Sequence, residues 1–124
     1  MKRMQAVLLF LPAAIRSAPA AKHVSLEACR SGQFPGIALC GQYRVHENRT
    51  TSSGRTIDLN LVVLPAQSES KFKEPDPLFV LAGGPGQAAS RLAPLCVGIN
   101  GIRRDRDIVL VDQRGNGSSN GPVP

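Results

Sequence analysis

The sequence predicts an α/β fold, an antiparallel hairpin followed by a parallel βαβ unit, and three observations carry that expectation. Thr56 to Leu64 (TIDLNLVVL) alternates Ile57, Leu59, Leu61 and Val63 with Thr56, Asp58, Asn60 and Val62, the period of two of a strand with one buried face. Leu78 to Ala82 (LFVLA) and Ile108 to Val111 (IVLV) are continuous apolar runs, as in strands buried on both faces. About twenty residues with weak helical patterning join these two runs, enough for a crossover between parallel strands.

Length and composition bound this reading. A chain of 124 residues with 42% hydrophobic side chains is globular and fits one small domain. No apolar run approaches the roughly 20 residues of a membrane span, and no repeat recurs, so a stable membrane span, a fibre and a solenoid are excluded. A parallel sheet covered on both faces needs more strands and helices than this sequence supplies. It therefore reads as incomplete.

The elements follow in order. Lys2 and Arg3 precede the apolar stretch Met4 to Ile15, and Ala18-Pro19-Ala20 offers small residues at alternating positions. Charged, apolar and small residues in that order read as a secretory signal over residues 1–20, with cleavage after Ala20 or Ala21 and residues 21–124 left as the exported portion. Export, periplasmic or extracellular, places the cysteines in an oxidising space, where Cys29 and Cys40 are expected to form a disulfide and Cys96 is left over. Two buried thiols are the alternative if the leader is not a signal. No cysteine pair has zinc-site spacing, and His23 and His46 are isolated, so no metal site is expected.

Gly41 to Val45 is a short strand candidate, and the polar segment His46 to Arg55, with Gly54, turns it into the strand from Thr56 to Leu64. Pro65 ends that strand, and residues 66–76 form an exposed connection. After Leu78 to Ala82 comes Gly83-Gly84-Pro85-Gly86, then a weakly helical stretch from Gln87 to about Ile102, interrupted by Pro94, Gly98 and Gly101. The run Ile108 to Val111 ends at Asp112 and opens onto Gln113-Arg114-Gly115-Asn116-Gly117-Ser118-Ser119.

The net charge of +6 raises a nucleic-acid reading, but half of it lies in the first twenty residues. Arg103, Arg104 and Arg106 are interleaved with Asp105 and Asp107 as on a solvated face, and the chain has only 4% aromatic residues on which to stack bases. No nucleic-acid partner is expected.

The glycine loop lies where a buried strand delivers its C-terminal end, the place where open α/β sheets hold ligands. Glycines there bring backbone N–H groups close to a ligand, while Pro85 stiffens the bend and removes one donor. Three readings compete. Gly84, Gly86 and Ala89 fit G-x-G-x-x-A, so the Gly84-Pro85-Gly86 loop could serve a dinucleotide-binding module, with Asp107 or Asp112 as the acid. The loop can equally be half of an oxyanion hole, or a tight turn with no ligand, as in a small exported non-enzymatic binding protein.

The two loops taken together point to a family. Leu78 to Ser90 (LFVLAGGPGQAAS) followed by Asp107 to Ser118 (DIVLVDQRGNGS) resembles the α/β-hydrolases of the prolyl iminopeptidase and tripeptidyl aminopeptidase type. Cys40-Gly41, then Gly54-Arg55-Thr56-Ile57 and a strand ending at Leu64-Pro65, resembles the exported, cysteine-bearing branch. The resemblance runs from about Cys29 to Pro122 and implies a serine peptidase acting on peptide substrates, with no cofactor. It implies that Gly84 is the oxyanion donor, that Gly83, Pro85 and Gly86 shape the loop, with Pro85 cis, and that Asp112, Arg114 and Gly115 are structural. Ala82 stands where many relatives have His.

The family's nucleophile belongs on a G-x-S-x-G elbow after a further strand, with the acid and the His later still. No such pentapeptide occurs here. Gly117-Ser118-Ser119-Asn120-Gly121 directly follows the Asp112 loop with no strand ahead of it, which makes Ser119 a poor nucleophile. The expectation is an N-terminal fragment of an exported serine aminopeptidase, inactive alone and poorly stable because its sheet edges are open.

Overall fold

The computed structural model describes residues 23–30 and 36–119. The proposed signal segment and its cleavage site lie outside the described residues.

The architecture is mixed α/β, a five-stranded sheet with one short helix. The strands are β1 (Glu27–Cys29), β2 (Ala38–His46), β3 (Thr56–Leu64), β4 (Leu78–Val80) and β5 (Ile108–Val111), in the spatial order β1-β2-β3-β5-β4. A 3-10 turn, Ala89–Leu92, runs into the helix α1, Ala93–Gly98. The crossover stops and starts for local reasons. Pro94 falls in the first turn, where its missing N–H costs nothing, so it begins the helix rather than interrupting it. Gly101, at φ 81°, then lets the chain reverse toward β5.

Three expectations are corrected. The sheet is mostly antiparallel, with β4 and β5 its one parallel pair, because β3 pairs antiparallel with β5 as well as with β2. Leu78 to Ala82 is not buried on both faces: β4 is an edge strand, and Phe79 and Leu81 are 59% and 75% exposed. Helical structure between Gln87 and Ile102 is confined to the two short turns. The strand expected at Gly41 to Val45 extends from Ala38 to His46, and β1 was not foreseen at all, since three residues are too few to show a period.

Register explains the burial pattern. Cross-strand partners share a face, so Val62 with Leu110 and Leu64 with Ile108 point to the helix side, joined there by Ala38, Ala89, Ala93 and Cys96 in the buried core. Each fully buried Leu or Ile contributes about 1.5–3 kcal/mol. The alternation in β3 points Ile57, Leu59, Leu61 and Val63 to the opposite face, where Leu59 and Leu61 are half-buried. LVVL at the end of β3 is thus apolar on both sides, while Asp58 on the helix side pairs with Arg44 across the ladder at 2.7 Å.

The connection from β3 to β4 is tied to the segment before β5. Gln67, Ser68, Glu74 and Leu78 donate their backbone N–H groups to the carbonyls of Arg103, Arg104, Asp105 and Asp107. Arg103 donates to the Pro65 carbonyl at 2.9 Å. The interleaved charges are paired locally, Arg104 with Asp105, Arg106 with Asp76 and Lys73 with Asp107. Arg104 and then Ser68 hold the Asp105 carboxyl below its ordinary range.

Cys29 and Cys40 form a disulfide between β1 and β2, and Cys96 is a free thiol buried in the core, where desolvation pushes its pKa up. The bridge closes a loop with a sequence separation of 11. Loop-closure entropy for that length gives about 2–3 kcal/mol. Cys29→Ser with Cys40→Ser is expected to lower the unfolding free energy from urea titration by that amount, measured against the oxidised parent chain.

Candidate functional site

The Gly83–Gly86 loop and the loop after β5 lie at one end of the sheet because β4 and β5 are parallel neighbours. Both loops start at strand C-terminal ends, and one buried side chain joins them.

Asp112 is fully buried, and its carboxylate accepts from neutral donors on three elements. Ser90 donates its N–H to Oδ1 at 2.8 Å and its hydroxyl to Oδ2 at 2.9 Å. The Asn60 amide donates to Oδ2 at 2.9 Å, and the Ser118 N–H lies at 3.4 Å. A buried carboxylate is tolerated only when its oxygens are satisfied in this way. Because Ser90 belongs to the turn that follows the glycine loop, Asp112 sets the position of that loop's exit relative to β5.

Ser119 completes the joint. The Asp112 N–H donates to the Asn60 carbonyl at 3.0 Å, continuing the β3–β5 ladder. The reciprocal ladder bond is replaced by a hydroxyl: the Asn60 N–H donates to Ser119 Oγ at 2.6 Å, which donates to the Asp112 carbonyl at 2.8 Å. Ser119 Oγ thus parts the two strands where the sheet opens. It is fully buried with its proton and a lone pair both in use, so it is not placed as a nucleophile.

Gly117 lies against this hub with φ 55°. A Cβ there would overlap Asp112 Oδ2 and come within 2.8 Å of the Ala88 Cβ, so the loop closes over Asp112 only with glycine. Gly115, at φ 79°, faces open space and serves the turn alone; its N–H donates to the Ser119 carbonyl at 2.9 Å. Arg114 is exposed, with Nη1 3.4 Å from the Glu47 carbonyl, so it reaches back to the β2–β3 hairpin.

The glycine loop is exposed and turned outward. Gly84 has φ 80° and Gly86 φ 86°, and the Gln87 N–H approaches the Gly84 carbonyl at 3.4 Å. Pro85 at the second position and a positive-φ glycine at the third make this a type II turn. That turn takes a trans proline, and no described peptide bond is cis, which corrects the cis geometry implied for Pro85. The Gly84 N–H has no hydrogen-bond partner among the described residues.

The dinucleotide alternative finds little geometry to use. The loop leads into a 3-10 turn and a six-residue helix, too short to present a helix dipole to a pyrophosphate. Asp112 is consumed as described, and Asp107 accepts the Ala66 N–H at 2.8 Å and pairs with Lys73. Neither carboxylate is left for a ribose. Among the described residues no group of His, Cys, Asp and Glu could hold a metal ion, and no helix is long and apolar enough to cross a membrane.

Sequence reasoning singled out Asp112, Arg114, Gly115 and the glycine loop but missed Asn60, Ser90, Gly117 and Ser119. Asn60 did carry a signal: it is in phase with Val62 and Leu64, on the side turned toward the helix. No family model matches the chain, and no curated protein matches it.

Proposed function

We propose that the chain is the N-terminal portion of an exported serine hydrolase of the α/β-hydrolase class, an aminopeptidase in which the Gly84 N–H donates to the oxyanion of the tetrahedral intermediate. The observation that carries the reading is the insertion of β5 between β3 and β4. This order brings the loops of GGPG and DQRGNGS together at the C-terminal ends of two parallel strands, where α/β sheets do their chemistry.

Three further features support it. The Gly84 N–H has no partner among the described residues and lies in an exposed loop, as a donor awaiting a developing charge requires. Asp112 and Ser90 hold the loop's exit, which preorganises it without entering the chemistry. The disulfide between β1 and β2 fits export.

Within the described residues no serine stands on an elbow with a His beside it. The Ser90 hydroxyl donates to the buried Asp112 carboxylate and the Ser119 hydroxyl to the Asp112 backbone carbonyl, so both are committed to the joint between the loops. In this proposal the nucleophile, the acid and the His are supplied by sequence beyond these residues, and the chain alone performs no acyl transfer.

The purified exported portion, incubated with aminoacyl and tripeptidyl chromogenic substrates, is expected to give no turnover above buffer and no labelling by a fluorophosphonate probe. Turnover abolished by a serine-directed inhibitor would place the chemistry on this chain and overturn the assignment of roles.

A further inference from the structure

A concavity lies where the β2–β3 hairpin meets the loop after β5, and Leu81, two residues before Gly83, also lines it. It has a volume of about 330 Å3. Its floor is the face of the sheet opposite the helix, with Ile57, Leu59 and Val111 aligned there by register. Its walls carry His46 and Arg49 from the end of β2 and the turn after it, and Arg114 from the loop after β5.

The lining carries two guanidinium groups and one carboxylate. Arg49 and Arg114 are both exposed, and Arg114 meets only the backbone carbonyl of Glu47. The Glu47 carboxylate is engaged by Arg55 at 3.2 Å. The acid in the lining is Asp112, whose oxygens already accept from Ser90, Asn60 and Ser118. Among the described residues, the two guanidinium groups over this apolar floor therefore have no side-chain carboxylate of their own. Small-molecule sites have this composition, apolar walls with few placed polar groups, in volumes of about 300–1,000 Å3.

We infer that this cavity binds a monocarboxylate with a short apolar tail, the tail on Ile57, Leu59 and Val111 and the carboxylate between Arg49 and Arg114. Guanidinium groups favour a carboxylate through paired N–H donors, and the apolar floor rejects a small hydrophilic anion. A medium-chain fatty acid and the C-terminal residue of a peptide both present this chemistry. The inference stands apart from the hydrolase proposal, since it uses neither Gly84 nor a nucleophile.

The test is titration of the full chain with octanoate, followed through amide and imidazole resonances. Saturable shifts confined to His46, Arg49, Arg114 and the adjacent strand residues are expected. Octanol, with the same tail and no charge, is expected to bind at least tenfold more weakly, and Arg49→Gln with Arg114→Gln to weaken octanoate at least tenfold while leaving octanol unchanged. N-acetyl-leucine against its amide separates the peptide source from the fatty-acid source: tenfold discrimination is expected if a peptide terminus is the ligand, and binding of octanoate alone assigns a fatty acid. If the double variant loses its dispersed spectrum, salt gives the same comparison on the unaltered chain, because about 0.5 M NaCl screens the carboxylate contact and not the tail. Equal affinity for octanol and octanoate, or no saturable shift with either carboxylate, would overturn the inference.

Discussion

Asp112→Ala is expected to remove most of the chain's stability, so that a substantial unfolded fraction appears in buffer in which the parent is folded. The substitution removes the acceptor for the Ser90 N–H and hydroxyl and for the Asn60 amide at once, and these groups are partly buried. Each buried donor left unsatisfied costs about 1–3 kcal/mol. The sum is about 3–5 kcal/mol after partial relaxation toward water. A domain of this size has a total stability of about 5–15 kcal/mol, and an open apolar edge at Phe79 and Leu81 puts this one at the low end. Amide proton dispersion is the direct readout: the parent shows the spread of a paired sheet and the variant adds the collapsed resonances of its unfolded fraction. Asp112→Asn is expected to fall between them, since it keeps the shape and one acceptor but turns an N–H toward the Ser90 or Asn60 donors. A variant Asp112→Ala with parent-like dispersion would show that the hydrogen bonds converging on Asp112 do not hold the two loops together.

Gly117→Ala is expected to cost about 2–5 kcal/mol, from a left-handed conformation unfavourable to alanine by about 1–2 kcal/mol and from overpacking of about 1–3 kcal/mol. The overlap cannot be relieved cheaply. Asp112 is fixed by its donors, and the Ala88 Cβ, 2.8 Å from the new methyl, is carried on backbone. Gly115→Ala supplies the control, because its φ is also positive while the space around it is open. The two variants separate strain of the backbone from contact with the hub: Gly115→Ala is expected to lower the unfolding free energy from urea titration by about 1 kcal/mol, and Gly117→Ala by at least twice as much. Equal shifts would mean that the loop does not close on Asp112 as described.

These expectations show which parts of the molecule were legible before its structure. β3 and β5 were readable to the residue, since alternation in TIDLNLVVL and the short apolar run IVLV are bounded by Gly54-Arg55, Pro65, Asp107 and Asp112. The antiparallel pairing of β3 with β5 was not, because strand partners far apart in sequence are chosen by packing and leave no local period. Leu78 to Ala82 misled for a physical reason: a continuous apolar run does not distinguish a central strand from an edge strand whose outer side chains are uncovered. The crossover was read as one weak helix because Pro94 looked like a break, whereas it starts the short helix that is formed.

The candidate site divides in the same way. Glycines announce themselves, since a positive φ at Gly84, Gly86 and Gly115 leaves few other choices. Asp112 was visible as an acid at a strand end with a structural role. Its partners were hidden, because Asn60, Ser90 and Ser119 meet it only through the sheet order that places β5 beside β3. Arg49 carried no signal at all; it lines one cavity with Arg114 only because the strand order brings the β2–β3 turn and the loop after β5 together.

The central claim is that the paired glycine and Asp112 loops belong to a serine hydrolase whose nucleophile is encoded further on. The measurement that meets it most directly is the nucleotide sequence of the native locus past the codon for Pro124, translated in all three forward frames. A short apolar strand followed by a G-x-S-x-G elbow, in the same or a shifted frame, with an acid and then a His later in the same order, is expected. Absence of that elbow in every frame would contradict it, and the two loops would then stand as structural turns of a small protein without catalytic chemistry.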